Sequence, residues 1–184
     1  GFLHRGLDCA RNLEHQINQI LDYARLESGK AQLDIAKFNI RNLVLRCVEK
    51  IEPLTKDSGN RIQMIGEAAE IETDQDKLTH IVMNLLSNAN KFTQQGRIEI
   101  AWSIHREHLI IRVNDTGCGI AEVDRDKIFE PFWQADMSLS RPAGGTGLGL
   151  AITKLYCELL SGEIDVTSNN PGSIFTVTLP IAKA

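Results

Sequence analysis

The sequence predicts an α/β chain of the α+β type: a two-layer sandwich in which helices cover one face of a mixed β-sheet, preceded by one long N-terminal helix. Three observations carry this prediction. Residues 2–28 hold a sustained heptad stripe of apolar side chains. Three later stretches repeat apolar residues at helical spacing, and between them short runs alternate with period two and close on turn residues. Strands and helices interleaved in this way imply one sheet with a helical layer on it.

The elements follow in order. "FLHRGLDCARNLEHQINQILDYARLES" sets Leu3, Ala10, Ile17 and Ala24 at heptad intervals, with Leu13 and Ile20 between them. Gly6 and Glu27 are the weak points of the stripe, and Gly29 supplies a stop. A stripe this long with nothing beside it in sequence seeks a partner helix, so self-association is expected. "KFNI" predicts a short strand and "LVLRCVEKIEPL" a helix. "RIQMIG" and "EIET" predict short strands, and the stretch from Asp74 to Phe92 a helix. "RIEIAWSIH" and "HLIIRVND" predict a hairpin turning at "REH". Residues 116–146 are rich in Gly, Asp, Ser and Pro, with a short helical piece near 122–129. A helix from Leu148 to Leu160 and a hairpin across "NPG" complete the chain.

Bulk properties exclude several classes. A chain of 184 residues, 42% of them hydrophobic, can build one globular core plus an appendage. The net charge is −4 and there is no Lys/Arg run, which argues against nucleic acid as a partner. The four cysteines lie far apart without a C-x-x-C pair, so a zinc site or disulfide framework has no support and reduced thiols are expected. No apolar run approaches the length of a membrane span. The chain opens inside what already reads as helix, which suggests a piece of a longer protein whose other parts can include a membrane anchor.

The chemistry concentrates in three places. In "NLLSNANKFT", Asn84, Asn88 and Lys91 share one face of a helix whose other face, through Ile81, Val82, Leu85, Leu86 and Ala89, is apolar. Asparagine is a poor interior helix residue because its amide competes for backbone hydrogen bonds, so two of them one turn apart ask for a reason. An amide oxygen is a hard, neutral ligand suited to magnesium, and lysine is a compact charge suited to phosphate. "NDTGCGI" follows a strand, and its Asp115 is an acceptor able to read the exocyclic amine of adenine. "RPAGGTGLGL" runs into a helix, whose open N–H groups and positive end attract an anion, most often phosphate. Neither glycine loop is a P-loop or a dinucleotide fingerprint. Taken singly, helix-end asparagines, a surface lysine and flexible turns explain these features; together they point to a nucleotide site.

"NLLSNANKFT", "DTGCGI", "FEPFWQ" and "GGTGLGL" resemble the N, G1, F and G2 boxes of the sensor histidine kinase ATP-binding domain, in the family's order and spacing. "INQILDYARLESGK" resembles the end of the second dimerisation helix that precedes this domain. The resemblance implies a Bergerat ATP-binding fold over residues 30–184, with residues 1–29 forming all or part of that dimerisation helix. It implies ATP and Mg2+ as cofactors, with Asn88 on the metal and Asn84 and Lys91 on the phosphates or metal. Asp115 would bind the adenine amine, Gly117 and Gly119 would shape the adenine side, and Gly145, Thr146, Gly147, Leu148 and Gly149 would meet the phosphates. The stretch from about Gln134 to Gly144 would be a lid anchored by Phe129 and Phe132. The implied partners are a phosphoacceptor histidine domain of the same protein, a response regulator or receiver domain, and a second copy through the N-terminal helix. The implied setting is the cytoplasmic part of a larger sensor.

The pattern also breaks. No phosphoacceptor box is present: His4 is followed by "RGL" and His15 by "QIN". Ala143 replaces an aromatic before "GGTG", Cys118 an aliphatic residue between the G1 glycines, and His80 a frequent glutamine. The expected function is therefore transfer of the ATP γ-phosphate to a histidine outside this chain. The alternative is a regulatory module that binds nucleotide and partners without transfer. A hydrolytic ATPase of the gyrase or chaperone type would carry a glutamate where Asn84 stands, and an amide is no general base.

Overall fold

The computed structural model describes residues 2–134, 146–169 and 171–183, apart from the side chains of residues 2–12, 15, 182 and 183. Helix α1 (Phe2–Glu27) runs to Gly29. Strand β1 (Ile35–Asn39) leads directly into α2 (Ile40–Asp57), where the Asn39 side chain caps the helix by accepting from the Arg41 N–H. Strands β2 (Arg61–Ile65) and β3 (Glu70–Asp74) precede α3 (Gln75–Phe92). Strands β4 (Arg97–His105) and β5 (His108–Asp115) form the predicted hairpin. Two single 3-10 turns, Glu122–Asp124 and Lys127–Phe129, stand where a short helical piece was expected. Helix α4 (Gly149–Leu159), the hairpin of β6 (Glu163–Ser168) and β7 (Ser173–Pro180), and β8 (Ala182–Lys183) close the chain.

The main sheet is mixed and five-stranded, in the order β2-β4-β5-β7-β6, with β2 and β4 parallel and the other pairs antiparallel. Period-two alternation sends Ile98, Ile100, Trp102, Leu109, Ile111, Val113, Phe175, Val177 and Leu179 into one buried core. Helix α2 supplies Leu43, Val44, Cys47 and Ile51 to it, and α3 supplies Leu78, Ile81, Val82, Leu85, Leu86 and Ala89. Each such side chain contributes about 1.5–3 kcal/mol on burial. Burial pushes the thiols of Cys47 and Cys157 up to about 11 and about 12, so both are protonated packing groups.

One sheet was expected, and two are present. Strands β1, β3 and β8 pair antiparallel in a small separate sheet. Asp74 ends β3 and at the same time caps α3. No connecting residues separate β3 from the helical layer. Helix α1 packs its end on the same layer, where Tyr23 and Leu26 touch the core. Leu13, Ile17, Ile20 and Leu21 remain 49–59% exposed.

Candidate active site

The site is assembled from α3, the turn after β5 and the start of α4. Helix α3 is fixed at its origin by Asp74, which is 1% exposed. Its Oδ1 accepts from the Lys77 N–H at 3.0 Å, and its Oδ2 accepts from the Asp34 N–H at 2.8 Å and lies 2.8 Å from the Lys77 ammonium. Burial pushes this carboxyl up, but the hydrogen bonds of Lys77 and Asp34 and the Lys77 charge outweigh it, and its pKa lies below the ordinary carboxylate value. The helix thus presents its polar stripe from a rigid start.

Along that stripe the three predicted residues differ. The Asn84 Nδ2 donates to the Thr153 Oγ1 at 2.7 Å, and Thr153 in turn donates to the Gly149 carbonyl at 3.0 Å. A Cβ at Gly149 would lie 2.5 Å from the Asn84 Oδ1, so glycine there lets α4 close onto α3. Asn88, one turn on, is half-buried, and its amide makes no hydrogen bond among the described residues. Lys91 lies with its ammonium 5.0 Å from the centre of the Phe92 ring, and burial lowers its pKa. A triphosphate beside it would reverse that shift.

Asp115 ends β5 and is 4% exposed. Its Oδ1 accepts from the Gly117 N–H at 2.8 Å and its Oδ2 from the Ser173 hydroxyl at 2.5 Å. Gly117 passes against the carbonyl of Phe92 with no room for a Cβ, joining this turn to the end of α3. Gly119 follows in the same turn, with exposed Cys118 between the two glycines.

At the start of α4, Leu148 is fully buried in the core. Among the described residues no side chain accepts from the N–H groups of Gly149, Leu150 or Ala151, which leaves that first turn suited to an anion. The Thr146 hydroxyl accepts from the Leu148 N–H at 3.2 Å and donates to the Gln19 Oε1 of α1 at 2.7 Å. Gly147 takes φ +71° and lies against the backbone of Phe132, whose N–H donates to the Gly147 carbonyl at 3.0 Å. Phe129 packs on the core, whereas Phe132 is 63% exposed and, among the described residues, is tied to Gly147 through its backbone N–H. Gly145, Ala143 and the expected lid beyond Gln134 lie outside the described residues. His80 lies against the Tyr156 ring, 5.7 Å between centres.

The fold brings Asn84, Gly149 and Thr146 to one end of α4, and Gly117 to the C-terminal end of α3 near Lys91. A metal held here would take an amide oxygen from Asn88 and its remaining ligands from phosphate and water, a set that suits Mg2+. Among the described residues no group of three or more His, Cys, Asp or Glu could hold a metal ion. Three residues escaped the sequence reading: Thr153, Ser173 and Gln19. Ser173 meets Asp115 only through the β5–β7 register, which pairs the two residues. Gln19 had no signal, being 127 residues from its partner.

Residues 73–183 match the model of the histidine kinase-, DNA gyrase B- and HSP90-like ATPases. The autoinducer 2 sensor kinase/phosphatase LuxQ of Vibrio vulnificus is 40% identical over 178 residues, covering 91% of this chain and 21% of LuxQ. The chain therefore spans about one fifth of the length of that relative. The crystal structure of full-length ShkA in complex with AMPPNP superimposes with a TM-score of 0.88 at 29% identity, over 96% of this chain and 37% of ShkA. The histidine kinase ThkA in complex with the response regulator TrrA shares the fold, with a TM-score of 0.73 at 20% identity, over 96% of this chain and 49% of that one. The chain belongs to the histidine kinase-, DNA gyrase B- and HSP90-like ATPase family and carries the catalytic ATPase domain of the sensor histidine kinases.

Proposed function

We propose that residues 30–184 bind ATP with Mg2+ and transfer its γ-phosphate to a histidine outside this chain, in a two-component sensor kinase. Residues 1–29 are then all or part of the second helix of its dimerisation domain. The observation that carries the reading is Asn84. It stands one turn before Asn88, where a hydrolase needs a general base, and its amide is committed to Thr153. A neutral amide takes no proton from water at neutral pH. Asp115, with both oxygens bonded and 4% exposure, is also withdrawn from that role.

Phosphoryl transfer asks for placement and charge neutralisation more than covalent chemistry. Asp115 fixes the adenine, accepting from its amine while Gly117 and Ser173 hold the carboxylate still. Lys91 and the open N–H groups of α4 draw the phosphates along the polar stripe of α3. Asn88 holds the metal, which when bound neutralises phosphate charge. Asn84 keeps α4 seated on α3, so it positions the phosphate loop. Among the described residues no helix is long and apolar enough to cross a membrane, and a cytoplasmic setting within a larger sensor fits this. The partners that follow are the phosphoacceptor domain, a response regulator, and a second copy through α1.

The test mixes this chain with labelled ATP and a separate domain bearing the phosphoacceptor histidine of the same protein. Labelling of that histidine in trans supports the reading. ATP binding without transfer would favour the regulatory module instead.

A further inference from the structure

A cavity lies outside the nucleotide site, where β2 and β4 begin. Arg61 and Arg97 are register partners in this parallel pair. Register partners leave the sheet on the same face, with their strands about 4.8 Å apart. Two guanidiniums side by side repel, and like charges facing each other weaken a strand pair. Among the described residues neither arginine has a carboxylate within ion-pair distance, although acidic residues outnumber basic ones in the chain. They flank a cavity of about 490 Å³ that Gln95, Thr116, Gly59 and Pro171 complete, with no acidic side chain in its lining.

The walls are built rather than incidental. Asn60, 6% exposed, sits behind them. Its Oδ1 accepts from the Gly96 N–H at 3.0 Å, and its Nδ2 lies 2.8 Å from the Asn90 Oδ1 and 2.9 Å from the Thr93 carbonyl. The Arg61 N–H donates to the Gly96 carbonyl at 2.9 Å, and the Arg97 N–H to the Thr116 hydroxyl at 2.9 Å. Gln95 is held at φ +50°, a conformation few side-chain-bearing residues adopt, by its N–H bond to the Ser58 carbonyl at 3.1 Å. Both arginine backbones are thus fixed while both charged heads stay exposed.

We propose that this cavity is a second ligand site, for a small oxyanion with two adjacent negative charges, a phosphate ester or a dicarboxylate. The planar guanidinium fork matches both groups in bidentate geometry. Two forks side by side fit an anion that bridges them and removes their repulsion. The exposed Gln95 amide offers a neutral donor at the rim. The volume suits a small molecule. None of Asn84, Asn88, Lys91, Asp115, Gly117 or the α4 loop lines it, so the proposal stands apart from the nucleotide reading.

The test follows backbone amide resonances of the 184-residue chain during titration with inorganic pyrophosphate and, separately, malonate, at constant ionic strength. Saturable shifts at Gln95, Gly96, Arg97 and Thr116 are expected, unchanged in Lys91→Ala. Affinity should fall at least roughly tenfold in Arg61→Gln/Arg97→Gln, as two charge-assisted contacts are lost. Should that double variant lose its native spectrum, Arg61→Gln alone, on the edge strand, carries the same comparison. Saturation by one anion alone assigns the ligand class and supports the site. No shifts, shifts confined to Gly147–Leu150, or affinity unchanged by the arginine substitutions would overturn it.

Discussion

Asp115 illustrates how far a single residue can be read. Its chemistry, an acceptor at a strand end, was visible in sequence, while what holds it in place is tertiary. The Gly117 N–H and the Ser173 hydroxyl bond one oxygen each, and the residue is 4% exposed. Asp115→Asn puts a donor where an acceptor is needed. Calorimetry should show ATP affinity falling by roughly ten- to a hundredfold, since hydrogen bonds to charged groups are worth about 1.5–3 kcal/mol. Inorganic triphosphate should be almost unaffected, and an equal loss for both would remove Asp115 from the adenine. Asn88→Ala should abolish the magnesium dependence of ATP binding. Titrations with and without Mg2+ that still differ in the variant would place the metal elsewhere. Gly147→Ala introduces a Cβ within 2.8 Å of the Phe132 Cα at a φ of +71°. Strain of about 1–3 kcal/mol should appear as weakened nucleotide binding with little change in the far-UV spectrum.

At the scale of elements, α3 depends on its capping residue, Asp74. The folded-state pKa of Asp74 is depressed, so its stabilisation is fully present above the unfolded value of about 3.9 and disappears as pH falls through the folded value. Asp74→Asn retains an acceptor for the cap but loses the charge opposite Lys77. The variant should be about 1–3 kcal/mol less stable than wild type to urea at pH 7. The two should converge at acid pH, below the folded pKa. A gap that stayed constant down to that pH would show that charge is not what Asp74 contributes. The same residue ends β3, so no linker separates that strand of the small sheet from α3. Element types were legible from periodicity. The partition of strands between two sheets was not, because short strands carry no record of which edge they join.

For the whole molecule, the exposed stripe of α1 is the feature that one chain leaves unresolved. Ile17 and Ile20 are each 49% exposed while the end of the same helix packs on the catalytic layer. A second copy of α1 would bury both. Ile17→Glu with Ile20→Glu should raise the dissociation constant of any self-association at least roughly tenfold in sedimentation equilibrium, because unpaired charges would replace buried apolar area. Nucleotide binding by the monomer should not change. If wild type sediments as a monomer at every concentration, α1 does not pair through this stripe in the isolated chain.

The sequence by itself determined the element types, the order of the nucleotide boxes and the family, since these depend on residue chemistry at fixed spacing along one chain. Asn84, Asn88 and Lys91 had to share a face once their helix formed. Only the tertiary structure decided what each one touches. Asn84 turned out to hold α4 through Thr153, Asp115 to rest on Ser173, and Thr146 to meet Gln19 across 127 residues. Leu148 is buried in the core, and Phe132 is 63% exposed. Arg61 stands beside Arg97 only because β2 joins β4 in parallel at that register. Such contacts depend on how strands and helices pack across the fold, and local spacing cannot encode them.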